Sequence, residues 1–116
     1  MRDLFKDILL LDDIKGVVLL SENGKVIFEE LLAPTTGELE HEAWLSDLVG
    51  MGQTQEIELV YADDRIYLRR MAKAMLLVWL GGFASMAMVR VNCDLLVPSL
   101  ERVLSTRRWR RFLKSL

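Results

Sequence analysis

The residues most able to do chemistry are the single cysteine, Cys93, and the single histidine, His41. A cysteine thiol becomes a nucleophile when a nearby base or positive charge favours its thiolate, and a histidine can be that base. No third residue is spaced to orient the pair, and one histidine with one cysteine cannot form a multi-cysteine metal cage. We therefore expect Cys93 to be a small buried hydrophobic residue on a helix, with no catalytic role and no metal site.

Adjacent carboxylates and a glycine pair are the other candidates for chemistry. The carboxylate pairs are Asp12-Asp13, Glu29-Glu30 and Asp63-Asp64. Neighbouring residues on a strand point to opposite faces, and acidic residues in turns usually face solvent or cap the chain. Gly81-Gly82 lacks the spacing of a loop whose backbone amides surround a phosphate. The sequence therefore indicates no enzyme, no cofactor and no small-molecule substrate.

Length and composition set the class of protein. The chain has 116 residues, of which 52% are hydrophobic and 28% are charged, as in one globular domain. The formal net charge is −2, but residues 101–116 carry six basic residues and one glutamate, so an acidic body precedes a basic tail. Charges interrupt any apolar run near the start, and the longest apolar run, residues 74–89, is too short to span a bilayer. We expect no signal peptide and a cytoplasmic protein.

Hydrophobic periodicity predicts the elements that must position these residues. Helices are expected over residues 2–11, 38–49 and 86–104, the last capped by Ser85 and kinked or restarted at Pro98. Strands are expected over residues 16–21, 25–29, 56–61, 65–70 and 75–80. Asn23-Gly24 predicts a type I′ hairpin between the first two strands. The order is α-β-β-α-β-β-β-α.

The strands differ in how they are expected to be covered. The runs over 16–20 and 75–80 carry no charge and no alternation, which is typical of central strands buried on both faces. The strands over 56–61 and 65–70 alternate, with Ile57, Leu59 and Tyr61 inward on the first. Pairing Tyr61 with Ile66 would place Glu58 opposite Arg69.

Several segments together resemble the roadblock/dynein light chain seven family. They are Ile14-Lys-Gly-Val-Val-Leu-Leu-Ser-Glu-Asn-Gly24, the hairpin over 56–70, the strand over 75–80 and Met88-Val-Arg-Val-Asn92. The resemblance covers most of residues 2–104 as one domain and leaves 105–116 as a basic amphipathic extension. It implies an α/β (α+β) profilin-like fold with a five-stranded antiparallel sheet in strand order 2-1-5-4-3. It places the first and last domain helices on one face and the second helix on the other.

The same resemblance implies a homodimer and a role as a scaffold or regulator of a Ras-like small GTPase. In such dimers the third strands pair edge to edge and the second helices pack together. The residues support a contact there, because Trp44 lies on a mostly acidic predicted helix and aromatic anchors ringed by charge are typical of interfaces. A core tryptophan lying on the sheet fits the same pattern. The residues expected at the dimer contact are Trp44, Leu45, Leu48, Glu56, Glu58 and Val60.

The basic tail is the second predicted interaction surface. Trp109, Phe112, Leu113 and Leu116 are spaced as one face of a helix, with arginines on the other flanks. Such a helix binds a membrane surface, an acidic partner or nucleic acid, or else extends the last helix back over the acidic body. The residues expected to dock are Arg107, Arg108, Trp109, Arg110, Arg111 and Phe112.

Overall fold

The computed structural model describes residues 1–32 and 55–116, so the helix predicted over residues 38–49 lies outside the described residues. A 3-10 turn, Arg2–Phe5, leads directly into the short helix α1, Lys6–Leu9, where the sequence predicts one helix over 2–11. The strands are β1 (Ile14–Ser21), β2 (Val26–Leu31), β3 (Glu56–Val60), β4 (Asp64–Arg70) and β5 (Ala74–Gly81). Two helices follow, α2 (Met86–Leu104) and α3 (Arg107–Ser115).

The strands form one antiparallel sheet in the order β2-β1-β5-β4-β3. This confirms the fold class and the strand order that the resemblance implies. β5 is buried at every position and β1 at every position but Lys15. Both strands are central, which explains why neither shows period-two alternation.

Two hydrophobic cores lie on opposite faces of the sheet. The first core joins α1 and α2 to the sheet and contains Phe5, Ile8, Val17, Leu19, Tyr67, Leu76, Val78, Val89, Cys93 and Leu100, among others. The first and last domain helices therefore share one face, as the resemblance implies. The second core contains Val18, Leu20, Ile66, Leu68, Met75, Leu77 and Trp79, with Leu31, Ile57 and Leu59 packed against it. Within the described ranges, strands alone contribute to this second core.

The hairpin between β1 and β2 forms where the sequence predicts it, but the predicted type I′ turn is wrong. Such a turn needs positive φ at both central residues, whereas only Gly24 has it, at 82°. The Gly24 N–H donates to the Ser21 carbonyl at 2.9 Å, and the Ser21 N–H donates to the Lys25 carbonyl at 2.7 Å. Three residues thus close the loop, with glycine in the left-handed position.

The β3–β4 hairpin has a different register from the predicted one. Tyr61 pairs with Asp64 through its N–H, and the ladder continues with Leu59 opposite Ile66. Two residues lie between Tyr61 and its partner instead of the four that the predicted pairing with Ile66 requires, so the pairing moves by two positions and places Glu56, not Glu58, opposite Arg69. Tyr61 follows the last residue of β3 and is exposed instead of inward.

A shift of two positions preserves the faces, because side chains alternate with a period of two. Ile57 and Leu59 face the second core as predicted.

Helix α2 spans the predicted residues and begins at the predicted cap. The Ser85 hydroxyl caps it by accepting a hydrogen bond from the Met88 N–H at 3.3 Å. The helix runs through Pro98 to Leu104 without restarting. None of the helices that the structure describes is long and apolar enough to cross a lipid bilayer.

Candidate interaction surfaces

Strand β3 is one of the two edge strands of the sheet, with β2 at the other edge, and pairs with β4 alone among the described residues. Tyr61 donates to Asp64, and Arg70 donates to the Gln55 carbonyl, so odd-numbered residues of this strand bond inward to β4. Hydrogen-bonded pairs alternate along an antiparallel ladder, and the N–H and C=O groups of the even-numbered residues therefore point outward. These residues are Glu56, Glu58 and Val60, the three edge residues that the sequence predicts at a dimer contact.

The side chains of these three residues have different roles. Val60 is 70% exposed, and Glu58 is exposed without an ion pair to any described residue. Glu56 instead accepts a hydrogen bond from the Tyr67 hydroxyl at 2.5 Å. Glu58 and Val60 are thus the two edge side chains available to a partner. The other predicted contact residues, Trp44, Leu45 and Leu48, lie outside the described residues.

Glu56 is the centre of a network that sequence analysis misses. Its second oxygen contacts the Arg90 guanidinium of α2 at 3.0 Å. Arg69 contacts Glu56 at 3.4 Å, donates to the Tyr67 oxygen at 2.9 Å and pairs with Asp94 on α2. The network links β3 to β4 and to α2, and these contacts fix the position of the β3 edge. The correct β3–β4 register is the signal that would have revealed it.

The network also explains the ionisation of Tyr67. Burial of the phenol, together with the hydrogen bond to Glu56, raises the pKa of Tyr67 to about 12. The hydroxyl is therefore a hydrogen-bond donor throughout the physiological range.

The structure gives Cys93 a packing role. Its side chain is fully buried in the first core, and burial raises the pKa of the thiol to about 12. A thiol that keeps its proton at neutral pH is a poor nucleophile. His41, the other member of the pair considered above, lies outside the described residues.

The carboxylate pairs serve local structure. Asp64 pairs with Lys15, and this hydrogen bond raises the pKa of the lysine ammonium. Asp13 accepts a hydrogen bond from the Phe83 N–H at 2.9 Å, and Glu30 contacts Arg2 at 3.1 Å. Across residues 1–32 and 55–116, no group of three or more histidine, cysteine or acidic side chains is placed to hold a metal ion.

The basic tail forms helix α3, which contacts the body through Trp109. That ring is half-buried, packs against the first core and makes an edge-to-face contact with Phe112 at 5.2 Å. The basic side chains are exposed, and none makes an ion pair with a described residue: Arg107, Arg108, Arg110, Arg111 and Lys114. At 100° per residue they occupy the arc opposite Trp109. The apolar side of α3 thus meets the body, while its cationic side faces solvent.

Comparison with known proteins identifies the architecture. No protein-family model matches the sequence, and no curated protein matches it. Solved structures do match. The roadblock/LC7 domain from Streptomyces avermitilis is 20% identical, with a TM-score of 0.69 over 91% of this chain and 95% of that one.

Two further structures agree with this match. MglB from Myxococcus xanthus is 20% identical, with a TM-score of 0.61 over 88% of this chain and 89% of that one. The gliding protein MglB from Thermus thermophilus is 16% identical, with a TM-score of 0.65 over 88% of this chain and 83% of that one. Likeness at these identities establishes the fold, and it confirms the resemblance seen in the sequence.

Proposed function

We propose that this chain, which has the roadblock fold, is a non-catalytic homodimeric interaction module that acts in the cytoplasm on a Ras-like small GTPase. The observation that carries the proposal is the outer edge of β3, which pairs with no strand in the part of the chain that the structure describes. Its outward backbone groups belong to Glu56, Glu58 and Val60. A second copy pairing along that edge would satisfy those groups. The GTPase partner follows from the family that the chain resembles. A lone buried thiol suits a reducing compartment.

The side chains favour one register for a two-fold pairing of β3 with itself. Centring the axis on Glu58 sets that carboxylate against Glu58 of the partner subunit, and like charges directly opposite destabilise a sheet. Centring it on Leu59 sets Glu58 against Val60 of the partner subunit and avoids the clash. We therefore place the axis at Leu59.

Glu58→Pro tests the edge contact. Proline removes an N–H that points away from β4, so the β3–β4 ladder keeps all of its bonds, and proline is tolerated at such edge positions. We expect wild type to have a dimer mass by light scattering at tens of micromolar and Glu58→Pro to have a monomer mass with an unchanged circular dichroism spectrum. A dimer that persists in Glu58→Pro excludes this edge as the contact. Leu59→Pro is the matched control, because it removes a bond to β4 and should lower the melting temperature.

The GTPase is tested separately. Ras-like GTPases from the same organism, loaded with fluorescent GDP or a non-hydrolysable GTP analogue, are titrated with the purified dimer. A rise in anisotropy in either state supports the proposal. If dimeric protein gives flat titrations with every such GTPase, a GTPase partner is rejected and the homodimer proposal is unaffected.

Helix α3 supports a second candidate function, a regulatory domain that docks its basic extension on a membrane surface or on nucleic acid. The supporting observation is the unpaired cationic arc described above. Anionic and neutral vesicles, and a DNA duplex, are mixed with wild type and with a variant in which the four arginines are glutamine. Salt-sensitive binding to a polyanion that the variant loses supports this function, and no binding at low salt excludes it.

A further inference from the structure

Phe83 lies in the turn between β5 and α2 and is 96% exposed, although its neighbour Ala84 is buried. Five other large apolar residues are exposed at the same end of the sheet or close to it in the chain: Leu10, Leu32, Val60, Tyr61 and Met88. This end is also acidic, since Asp12, Asp13 and Asp63 are exposed there. The Phe83 end therefore presents an exposed aromatic ring among acidic side chains.

The turn that carries Phe83 is held from several sides. Asp13, at a left-handed φ of 61°, accepts the Phe83 N–H with its carboxylate and the Gly81 N–H with its carbonyl, each at 2.9 Å. The Arg65 guanidinium donates to the carbonyls of Gly81 and Ala84. A non-glycine residue keeps a left-handed conformation only where its surroundings impose it. The ring is therefore displayed by a preorganised backbone, which lowers the entropy lost on binding.

The opposite end of the molecule has a matching recess. A cavity of about 530 Å³ lies between the β4–β5 turn and the C-terminal turn of α2. Met71, Pro98 and Leu104 give it apolar walls. Its rim carries two exposed cations, Lys73 and Arg102, and one acid, Glu101, whose carboxylate accepts a hydrogen bond from the Ala72 N–H at 3.3 Å. This volume is large enough for an aromatic side chain.

The two features cannot meet within one chain. Strand β5 runs from the cavity end to the Phe83 end, and its eight residues span about 26 Å at the usual rise of a strand. Their chemistry is nevertheless complementary: an exposed aromatic ring among acidic side chains at one end, and an apolar recess whose rim carries two cations and one acid at the other.

We infer that Phe83 of one copy of this chain inserts into the Lys73–Arg102 cavity of the next, in a head-to-tail contact. The two surfaces of such a contact are different, so a joined pair keeps one free ring and one free cavity and the assembly extends. The acidic residues around Phe83 of one copy then face Lys73 and Arg102 of the next, so the charges favour contact between opposite ends of the two copies. This inference does not depend on a GTPase partner.

The experiment uses two variants of the full chain that block opposite ends. Phe83→Ser removes the ring, and Lys73→Glu with Arg102→Glu reverses the rim charge, all at exposed positions. Sedimentation velocity on wild type from about 5 to 500 µM should show species above the dimer mass, and each variant should need about thirtyfold more protein to form them, as expected of an interface hot spot. Leu95→Ser, which removes an exposed apolar residue from the outer side of α2, is the control and should behave as wild type.

Mixing the two blocked variants gives the decisive result. The cavity is intact in Phe83→Ser and the ring is intact in the rim variant, so the mixture should form species above the dimer mass at concentrations where neither variant does so alone. A mixture that forms no more of the high-mass species than either variant alone overturns the head-to-tail contact. Wild-type protein that never exceeds the dimer mass also overturns it, and would mean that the exposed ring binds a different protein.

Discussion

Replacing Gly81 with alanine tests how the Phe83 turn is held. A Cβ built on Gly81 would lie 2.5 Å from both Cγ and Oδ1 of Asp13 and closer still to Oδ2. Real Cβ atoms do not approach other atoms so closely, so the carboxylate must rotate away. Rotation breaks its hydrogen bond to the Phe83 N–H. Gly82 is the matched control, because a Cβ there would meet nothing within 4 Å.

The expected cost follows from what is lost. A hydrogen bond to a charged acceptor contributes about 1.5–3 kcal/mol, and the lower end applies here because Asp13 is exposed. Alanine recovers about 0.5 kcal/mol by restricting the unfolded chain. We expect Gly81→Ala to lower the free energy of unfolding by about 1–2 kcal/mol, a fall in melting temperature of about 4–8 °C for a domain of this size. Gly82→Ala should change it by less than about 0.5 kcal/mol.

The assay is urea unfolding followed by circular dichroism, run as a double-mutant cycle with Asp13→Gly. Glycine at position 13 keeps the left-handed φ without strain and removes the carboxylate that obstructs the new Cβ. Gly81→Ala should therefore cost almost nothing in the Asp13→Gly background. An equal cost in both backgrounds, or equal costs for Gly81→Ala and Gly82→Ala, would show that the carboxylate is not the obstacle.

Two further predictions concern titration and the tail. Cys93 and Tyr67 keep their protons in the folded state at pH values where the unfolded chain loses them, so the free energy of unfolding should fall as pH rises from about 9 to 12. Cys93→Ala should make this fall less steep in urea titrations. Native Cys93 should resist a thiol reagent at about pH 8 until the protein unfolds. Trp109→Ala should lower the melting temperature by about 8 °C, since burial of a half-buried tryptophan contributes about 2 kcal/mol. Changing the four arginines of α3 to glutamine should change the melting temperature by no more than about 2 °C. Equal shifts of the two variants in calorimetry would contradict packing of α3 through Trp109.

The parts of the fold that the sequence predicts well are those with one dominant physical signal. An uncharged apolar run marks β5 as central because any polar side chain there would be buried without a partner. Ser85 before a long apolar-periodic segment marks the start of α2 because its hydroxyl satisfies a free N–H. These signals are local, and tertiary contacts reinforce them.

The β3–β4 register is harder to predict because it depends on the length of the turn. Hairpins in which Tyr61 pairs with Asp64 or with Ile66 place the same side chains on the same faces, so hydrophobic alternation does not distinguish them. Only cross-strand partners do, and the favourable pairing of Glu58 with Arg69 is available in the wrong register. In the observed register Arg69 lies opposite Glu56, and Asp94 and Arg90 of α2 form ion pairs with these two residues. The α2 residues are too far from β3 and β4 in the sequence for a local pattern to predict these contacts. The network of side chains around Glu56 therefore could not be predicted from the sequence.

The two proposed contacts reinforce each other through the symmetry of the sheet. A two-fold pairing of β3 runs the strands of the two subunits in opposite directions, so the Phe83 end of one subunit lies beside the cavity end of the other. Each side of the dimer then displays one ring and one cavity, and two dimers can make both head-to-tail contacts at once. Paired contacts bind far more tightly than either alone, because the second forms at a high effective concentration. Glu58→Pro, which separates the subunits without touching Phe83 or the cavity, should therefore raise the concentration needed for species of higher mass by at least about tenfold, as measured by sedimentation velocity. If Glu58→Pro forms monomers that assemble as readily as wild-type dimers, the two contacts are not linked by this geometry.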